Sequence, residues 1–260
     1  MDRRQVLIAA LRAGAKAVAS YDPQQVASRV KSTEGDIVTA ADLASQKVII
    51  ETIAKAFPGD TIIAEEADDS HHNLNPSELP QLTAWIVDPL DGTNNFKRGL
   101  AYSGISIGYV KDGQPVLGGI LDFYRDRLFL ATVGRGAICN GRPIKVNNRI
   151  RFDGGTRVCT SNGADEGSTN FNLQSYFKLG HVWVDVLGSA VLIMGEVAAG
   201  HIDLYFHQGL KPWDNAAGFL IAREAGAKIV GLKGQPVNWL SNEAVMGNPK
   251  LVDLFIKLTN

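Results

Sequence analysis

Apolar residues recur at helical spacing near the N-terminus. Val6, Leu7, Ala10, Leu11 and Val18 predict an amphipathic helix over residues 3–20, with Gly14 on the same face. A polar stretch, residues 31–38, reads as a loop. Thr39-Ala40-Ala41-Asp42 has the pattern of a capping box with Asp in place of Glu. The helix it opens runs to about Phe57, with Leu43, Val48, Ile49 and Ile53 inward and Pro58-Gly59 ending it. Residues 61–64 form a short apolar strand, and Glu65-Glu66 follows it directly. Residues 68–83 are polar, contain Pro76 and Pro80, and read as an exposed loop. Residues 85–87 then read as the buried end of a strand, which Pro89 and Gly92 break.

From Tyr102 onward the pattern becomes strand-like. Residues 103–110, 116–122, 127–133 and 137–139 are separated by turns, with Asp112-Gly113 and Asn140-Gly141 as hairpin signals. This predicts a mostly antiparallel sheet. Gly154-Gly155 marks a junction. Beyond it strands and helices alternate: strand 157–160, a helix near 171–177, strand 182–184, helix 189–199, strand 202–206, helix 213–225, strands 228–230 and 244–247, and a terminal helix from Pro249. The expected organisation is a helix-plus-antiparallel-sheet half, residues 1–153, and an α/β half, residues 154–260.

Composition narrows the class. The chain has 260 residues, is 45% hydrophobic and 20% charged, and carries a net charge of −1. These values suit an ordinary globular protein, and the charge gives no sign of a nucleic-acid polymer as partner. Two cysteines, Cys139 and Cys159, leave room for one disulfide but not for a disulfide framework or a cysteine-ligated zinc site. No apolar run is long enough to span a bilayer, and Arg12 and Lys16 interrupt the first apolar stretch, so it reads as a helix and not a signal peptide. The expected setting is the cytoplasm.

The chemistry concentrates at Asp88-Pro89-Leu90-Asp91-Gly92-Thr93. Two carboxylates three residues apart point to opposite faces of a regular strand but converge on a turn. Hard cations such as Mg²⁺ take several oxygen ligands, usually one or two carboxylates with water and substrate phosphate. If a helix starts at Gly92-Thr93, its free N–H groups favour an anion. Taken alone, the stretch also reads as a turn with two surface aspartates. Glu65-Glu66 after a strand and Asp214 in the first turn of a helix add further carboxylates, each with an ordinary reading as a solvated charge or a helix-dipole partner.

Together these segments resemble the inositol monophosphatase family of Mg²⁺-dependent phosphatases. The family carries an apolar strand ending in Glu-Glu, then Trp-Ile-x-Asp-Pro-Ile/Leu-Asp-Gly-Thr-x-Asn-Phe, then a Trp-Asp-x-Ala-Ala-Gly helix start. Here these are Ile62-Ile63-Ala64-Glu65-Glu66, the stretch from Trp85 to Phe96, and Trp213-Asp214-Asn215-Ala216-Ala217-Gly218. The resemblance extends to Asp36-Ile37-Val38-Thr39-Ala40-Ala41-Asp42, to Gly136-Ala137-Ile138-Cys139-Asn140-Gly141 and to Gly188-Ser189-Ala190.

The resemblance implies an α/β (α+β) fold, a layered αβαβα sandwich, with the site between the halves and usually a homodimer. It implies two or three Mg²⁺ per site, held by Glu65, Asp88, Asp91, Asp214 and the Leu90 carbonyl. Asp91, Gly92 and Thr93 would hold the phosphate, Thr93 and Glu65 would orient the attacking water, Asp42 would bond near Thr93, and Lys31 would lie by the site. Gly188, Ser189, Ala190, Asp185, His207 and Asp214 would face the substrate. The implied activity is hydrolysis of a small phosphorylated alcohol, inositol 1-phosphate or a related sugar or polyol phosphate.

Two substrate-side positions depart from the family pattern. Where the family usually has Glu, seven residues before the Trp-Asp aspartate, this chain has His207. Where it commonly has Arg, three residues before Gly188, this chain has Asp185. Both changes could be loop drift. The sharper expectation is that His207 and Asp185 lie together at the substrate mouth, with the carboxylate favouring a protonated imidazole and an anionic leaving alcohol. His71 and His72 read as a solvated loop pair. Neighbouring branches stay open as alternatives: histidinol-phosphate, fructose-1,6-bisphosphate and 3′-phosphonucleotide phosphatases, although Asn94-Asn95-Phe96 differs from the Lys-Glu-Phe usual in the nucleotidases. A catalytically weak binding or regulatory protein is the alternative from another class.

Overall fold

The computed structural model describes residues 2–31, 36–66, 81–160 and 174–260. Residues 71 and 72, the start of the helix expected near 171–177, and most of the 68–83 loop lie outside the described residues; residues 174–178 are helical.

The N-terminal amphipathic pattern becomes α1 (Arg3–Val18), which buries Val6, Leu7, Ala10, Leu11, Gly14 and Val18. The Thr39–Asp42 pattern is a true capping box: Asp42 accepts from the Thr39 N–H and caps α2 (Ala40–Ala56). The polar 31–38 stretch is not all loop. β1 (Ser28–Val30) pairs antiparallel with β2 (Ile37–Thr39), a pairing too short and too exposed to leave a period-two signature.

β3 (Thr61–Ala64) runs parallel to β4 (Ala84–Asp91), and β5 (Gly104–Lys111), β6 (Gln114–Asp122), β7 (Arg127–Thr132), β8 (Ala137–Cys139) and β9 (Arg142–Ile144) follow in one seven-stranded sheet. Every pairing after the first is antiparallel. Residues 157–247 build the second sheet from β10 (Arg157–Thr160), β11 (Trp183–Asp185), β12 (Leu204–Gln208), β13 (Lys228–Val230) and β14 (Glu243–Gly247), in the order β11-β10-β12-β14-β13. β10 is parallel to both neighbours, and β14 is antiparallel to both of its own.

The helices fill three layers. α1 and α2 cover one face of the large sheet, packing Leu7, Leu11, Ile49 and Ile53 on Trp85, Val87, Ile105 and Ile107. α4 (Ala190–Ala198) and α5 (Pro212–Glu224) lie between the sheets, with Met194 and Phe219 in one core with Ile86 and Tyr205. α6 (Pro249–Thr259) closes the outer face of the small sheet through Leu251, Val252 and Phe255 on Leu204, Phe206 and Val245. The result is a layered αβαβα sandwich. α5 approaches the large sheet so closely that a Cβ on Gly108 would lie 2.9 Å from the Ala216 Cβ. That glycine therefore sets how near the first turn of α5 comes to the end of β4. Among the described residues no helix is long and apolar enough to cross a membrane.

Candidate functional site

The strand expected to stop at Pro89 continues through Asp91. Asp88 pairs with Ser106 and Asp91 with Gly104, so three steps along β4 match two along β5. This is a β-bulge, and the extra residue undoes the alternation that would send Asp88 and Asp91 to opposite faces. The bulge is held from outside: the Ser45 hydroxyl of α2 donates to the Pro89 carbonyl at 2.7 Å, and the Leu90 N–H to Asp88 Oδ1 at 3.1 Å. Gly92 follows with φ +81°, and a Cβ there would lie 3.1 Å from both the Gly188 and Tyr102 carbonyl oxygens. The position needs glycine for its left-handed backbone and for the approach of two other segments. The five-residue helix α3 (Thr93–Lys97) starts there.

Asp214 comes from α5, the helix that lies between the sheets. It occupies the first turn of α5 and accepts from the Lys211 N–H at 2.7 Å, a capping interaction that fixes its carboxylate. Oxygens of Asp88, Asp91 and Asp214 lie within 4.8 Å of one another. Burial pushes all three carboxyls up, Asp91 to about 6 and Asp88 and Asp214 well above their ordinary range, with repulsion from neighbouring carboxylates adding to the rise at Asp88 and Asp214. Three like charges at this separation, Asp88 buried and Asp91 and Asp214 half-buried, are uncomfortable without a cation, and the donor set is oxygen only. That is the chemistry of a hard divalent ion such as Mg²⁺, and the residues present fit it.

Hydrogen bonds orient the cluster. Asp91 Oδ2 accepts from the Ser189 hydroxyl at 2.5 Å and from the Val191 N–H at 2.9 Å, both at the start of α4. Asn95 Nδ2 bridges the Tyr102 and Leu187 carbonyls at 2.7 Å each, tying the loop before α4 to α3. Asn95 stands inside the motif that marks the site, yet nothing in its sequence context assigns it this bridging role. Thr93 Oγ1 lies 2.8 Å from Asp42 Oδ1 and 3.0 Å from the Leu90 carbonyl. Asp42 also accepts from Thr39, and burial raises its carboxyl.

Glu65 stands at the edge of this group. Its charge is among those that raise Asp88, but its Oε1 takes the Lys31 ammonium at 2.7 Å, and Lys31 also binds Glu66 at 2.6 Å. Burial lifts the Glu66 carboxyl to about 7, and the two glutamates hold Lys31 protonated against its own burial.

The charge pair expected between His207 and Asp185 does not form. His207 does not sit in a loop: β12 runs to Gln208, and His207 pairs with Ala244 of β14. Its ring is fully buried against Tyr205 and Phe219, at centroid distances of 4.9 and 6.5 Å. Neither ring nitrogen has a hydrogen-bond partner among the described residues, and burial pushes its pKa down to about 3. The imidazole is neutral. Asp185 is held by Arg157, at 2.6 and 3.1 Å, on the neighbouring strand. It lines a cavity of about 830 Å³ with Arg149, Trp183 and His201, which none of the three clustered carboxylates lines. The parallel pairing of β10 with β11 gives Asp185 a cation of its own and leaves His207 without one.

Gly188, Ser189 and Ala190 do meet Asp91, at a cavity of about 190 Å³ walled also by Tyr205, Ile193, Leu210 and Val186. Tyr205 was not singled out by sequence; the alternation of Tyr205 with His207 along β12 is the one signal that puts it on the cluster's side.

Comparison with known proteins agrees with this geometry. The model of the inositol monophosphatase family matches residues 2–260. The chain is 35% identical over 249 residues to the Nus factor SuhB of Escherichia coli, covering 94% of this chain and 90% of that one. It is 33% identical to the inositol-1-monophosphatase of Synechocystis over 246 residues, covering 94% and 83%. The Thermotoga maritima IMPase superposes with a TM-score of 0.87 at 30% identity, covering the whole of this chain and 97% of that one.

Proposed function

This chain belongs to the inositol monophosphatase family, and we propose that within it the protein is a Mg²⁺-dependent phosphomonoesterase acting on a small phosphorylated alcohol. The observation that carries the proposal is the convergence of Asp88 and Asp91, from the bulge of β4, with Asp214, from the first turn of α5. Bound there, divalent cations supply a nucleophile from water at neutral pH and neutralise the ester's charge.

The remaining work falls to the chain's own residues. Asp88, Asp91 and Asp214 hold the cations, with the Leu90 carbonyl and Glu65 as further oxygen donors. Thr93 directs its hydroxyl proton toward Asp42 or the Leu90 carbonyl, which leaves its oxygen able to accept a hydrogen bond from the attacking water and so orient it. The Gly92 and Thr93 N–H groups receive the phosphate oxygens. Ser189 and the start of α4 keep Asp91 in one orientation.

The proposed setting is cytoplasmic and the proposed assembly a homodimer, with two or three cations per site. A second reading, a protein that acts by binding, is favoured by the Nus-factor name of the Escherichia coli relative. Phosphate release from a panel of phosphate esters, with Mg²⁺ and with a chelator, separates the two. Release that needs Mg²⁺ supports the phosphatase; no release from any ester supports the binding protein.

A further inference from the structure

We infer that the leaving-alcohol subsite of this chain is an apolar slot beside Asp91, walled by Tyr205, Ile193, Leu210 and Val186, that takes a single ring with an apolar face and disfavours a polyol. The inference rests on the phosphomonoesterase reading and deepens it.

Three observations carry it. The cavity that shares Asp91 with the carboxylate cluster has a volume of about 190 Å³, room for one small ring. Its walls are mainly apolar: Ile193 and the Tyr205 ring are nearly fully buried, and Val186, half exposed, stands at the mouth, with Thr160 and the Tyr205 phenol as the two further hydroxyls on the lining. The polar groups at the start of α4 are already engaged within the protein. The Ser189 hydroxyl and the Val191 N–H donate to Asp91, and the Ala190 N–H is directed to the same carboxyl.

Neither His207 nor Asp185 brings a charge to this wall. His207 is sealed behind Tyr205 and Phe219, and Asp185 is closed onto Arg157. A ring carrying several hydroxyls would therefore lose water at this wall and find few partners among the described residues. Hydroxyls buried without partners weaken binding, whereas a ring with apolar faces loses nothing by leaving water. The slot thus discriminates by what it fails to offer a polyol.

The test compares cyclohexyl phosphate with myo-inositol 1-phosphate, esters of the same ring that differ in the ring hydroxyls, using the purified full chain with Mg²⁺. The KM for cyclohexyl phosphate is expected to be lower by about tenfold or more, the value of one unpaired hydroxyl. Leu210→Gln should narrow that KM ratio by about fivefold, by offering hydroxyl partners. Val186→Asn, on an exposed side chain where folding is not at stake, should move the ratio the same way. Hydrolysis of both esters with equal KM values, or a lower KM for the inositol ester, overturns the slot and leaves the phosphatase reading standing. A ratio that neither variant moves also overturns it. Hydrolysis of neither ester, with release from another ester of the panel, overturns the slot alone, and release from no ester overturns the phosphatase reading with it.

Discussion

The Ser189 hydroxyl donates to Asp91 Oδ2 at 2.5 Å, so the first turn of a helix between the sheets orients a carboxylate at the end of β4. The two residues are 98 positions apart in sequence. The bond lowers the pKa of a carboxyl that burial raises, and so favours the ionised form a cation needs. Ser189→Ala should weaken Mg²⁺ binding by about tenfold, the usual worth of a hydrogen bond to a charged group. Calorimetric titration of the metal-free protein reads this directly. Unchanged affinity would mean that backbone N–H groups, those of Ala190 and Val191 among them, orient Asp91 without the hydroxyl.

Metal-free stability should depend on pH in a set direction. Asp91 is raised to about 6 and Glu66 to about 7, from ordinary values of 3.8 and 4.5, and Asp88, Asp214 and Glu65 are raised as well. Between the unfolded and folded values the native state binds more protons than the unfolded chain, so stability falls as pH rises through that window. The Tm of chelated protein should drop by about 5 °C between pH 5 and pH 8, on the usual relation of Tm to free energy. Saturating Mg²⁺ should remove most of the drop, since it binds the ionised cluster. A chelated Tm that rises over this range would contradict the shifts.

His207 contributes with the opposite sign. Its pKa falls from 6.5 to about 3 on burial, so its share of stability is present above 6.5 and is lost as pH falls toward 3. His207→Leu removes the group and its two unpartnered nitrogens. The variant should match or exceed the parent in Tm at pH 7.5, and its advantage should grow as pH falls from 7 to 5. Thermal denaturation of both proteins across that range is the check. An advantage that shrinks toward low pH would mean that the imidazole is charged in the folded protein.

Much of this architecture is legible in the chain itself, because local rules decide it. The α1 and α2 positions follow from apolar spacing and, for α2, from the cap at Thr39. The carboxylates are legible as a motif, but their convergence is not. Alternation along a strand separates Asp88 from Asp91, and only pairing with β5 reveals the bulge that reunites them. His207 and Asp185 fail for the same reason. Whether β12 ends before His207 is settled by β14, about forty residues later, and whether Asp185 meets an imidazole or a guanidinium is settled by parallel pairing with β10. Charge read along a sequence says which groups exist; strand pairing says which of them meet. Ser45 and Asn95, which hold the bulge and the α4 loop in place, act through backbone carbonyls 44 and 92 residues away.

The cluster of Asp88, Asp91 and Asp214 is tested most directly by phosphate release from one accepted ester, comparing the parent chain with Asp88→Asn at matched Mg²⁺. Asp88→Asn keeps the shape of the side chain and removes one charge from the cation's oxygen shell. The parent should release phosphate only when Mg²⁺ is present, and the variant should be slower by about a hundredfold or more, the scale of losing one electrostatic contact in a catalytic site. Release that ignores the chelator, or an Asp88→Asn rate close to the parent's, would contradict a metal-dependent reaction at this cluster.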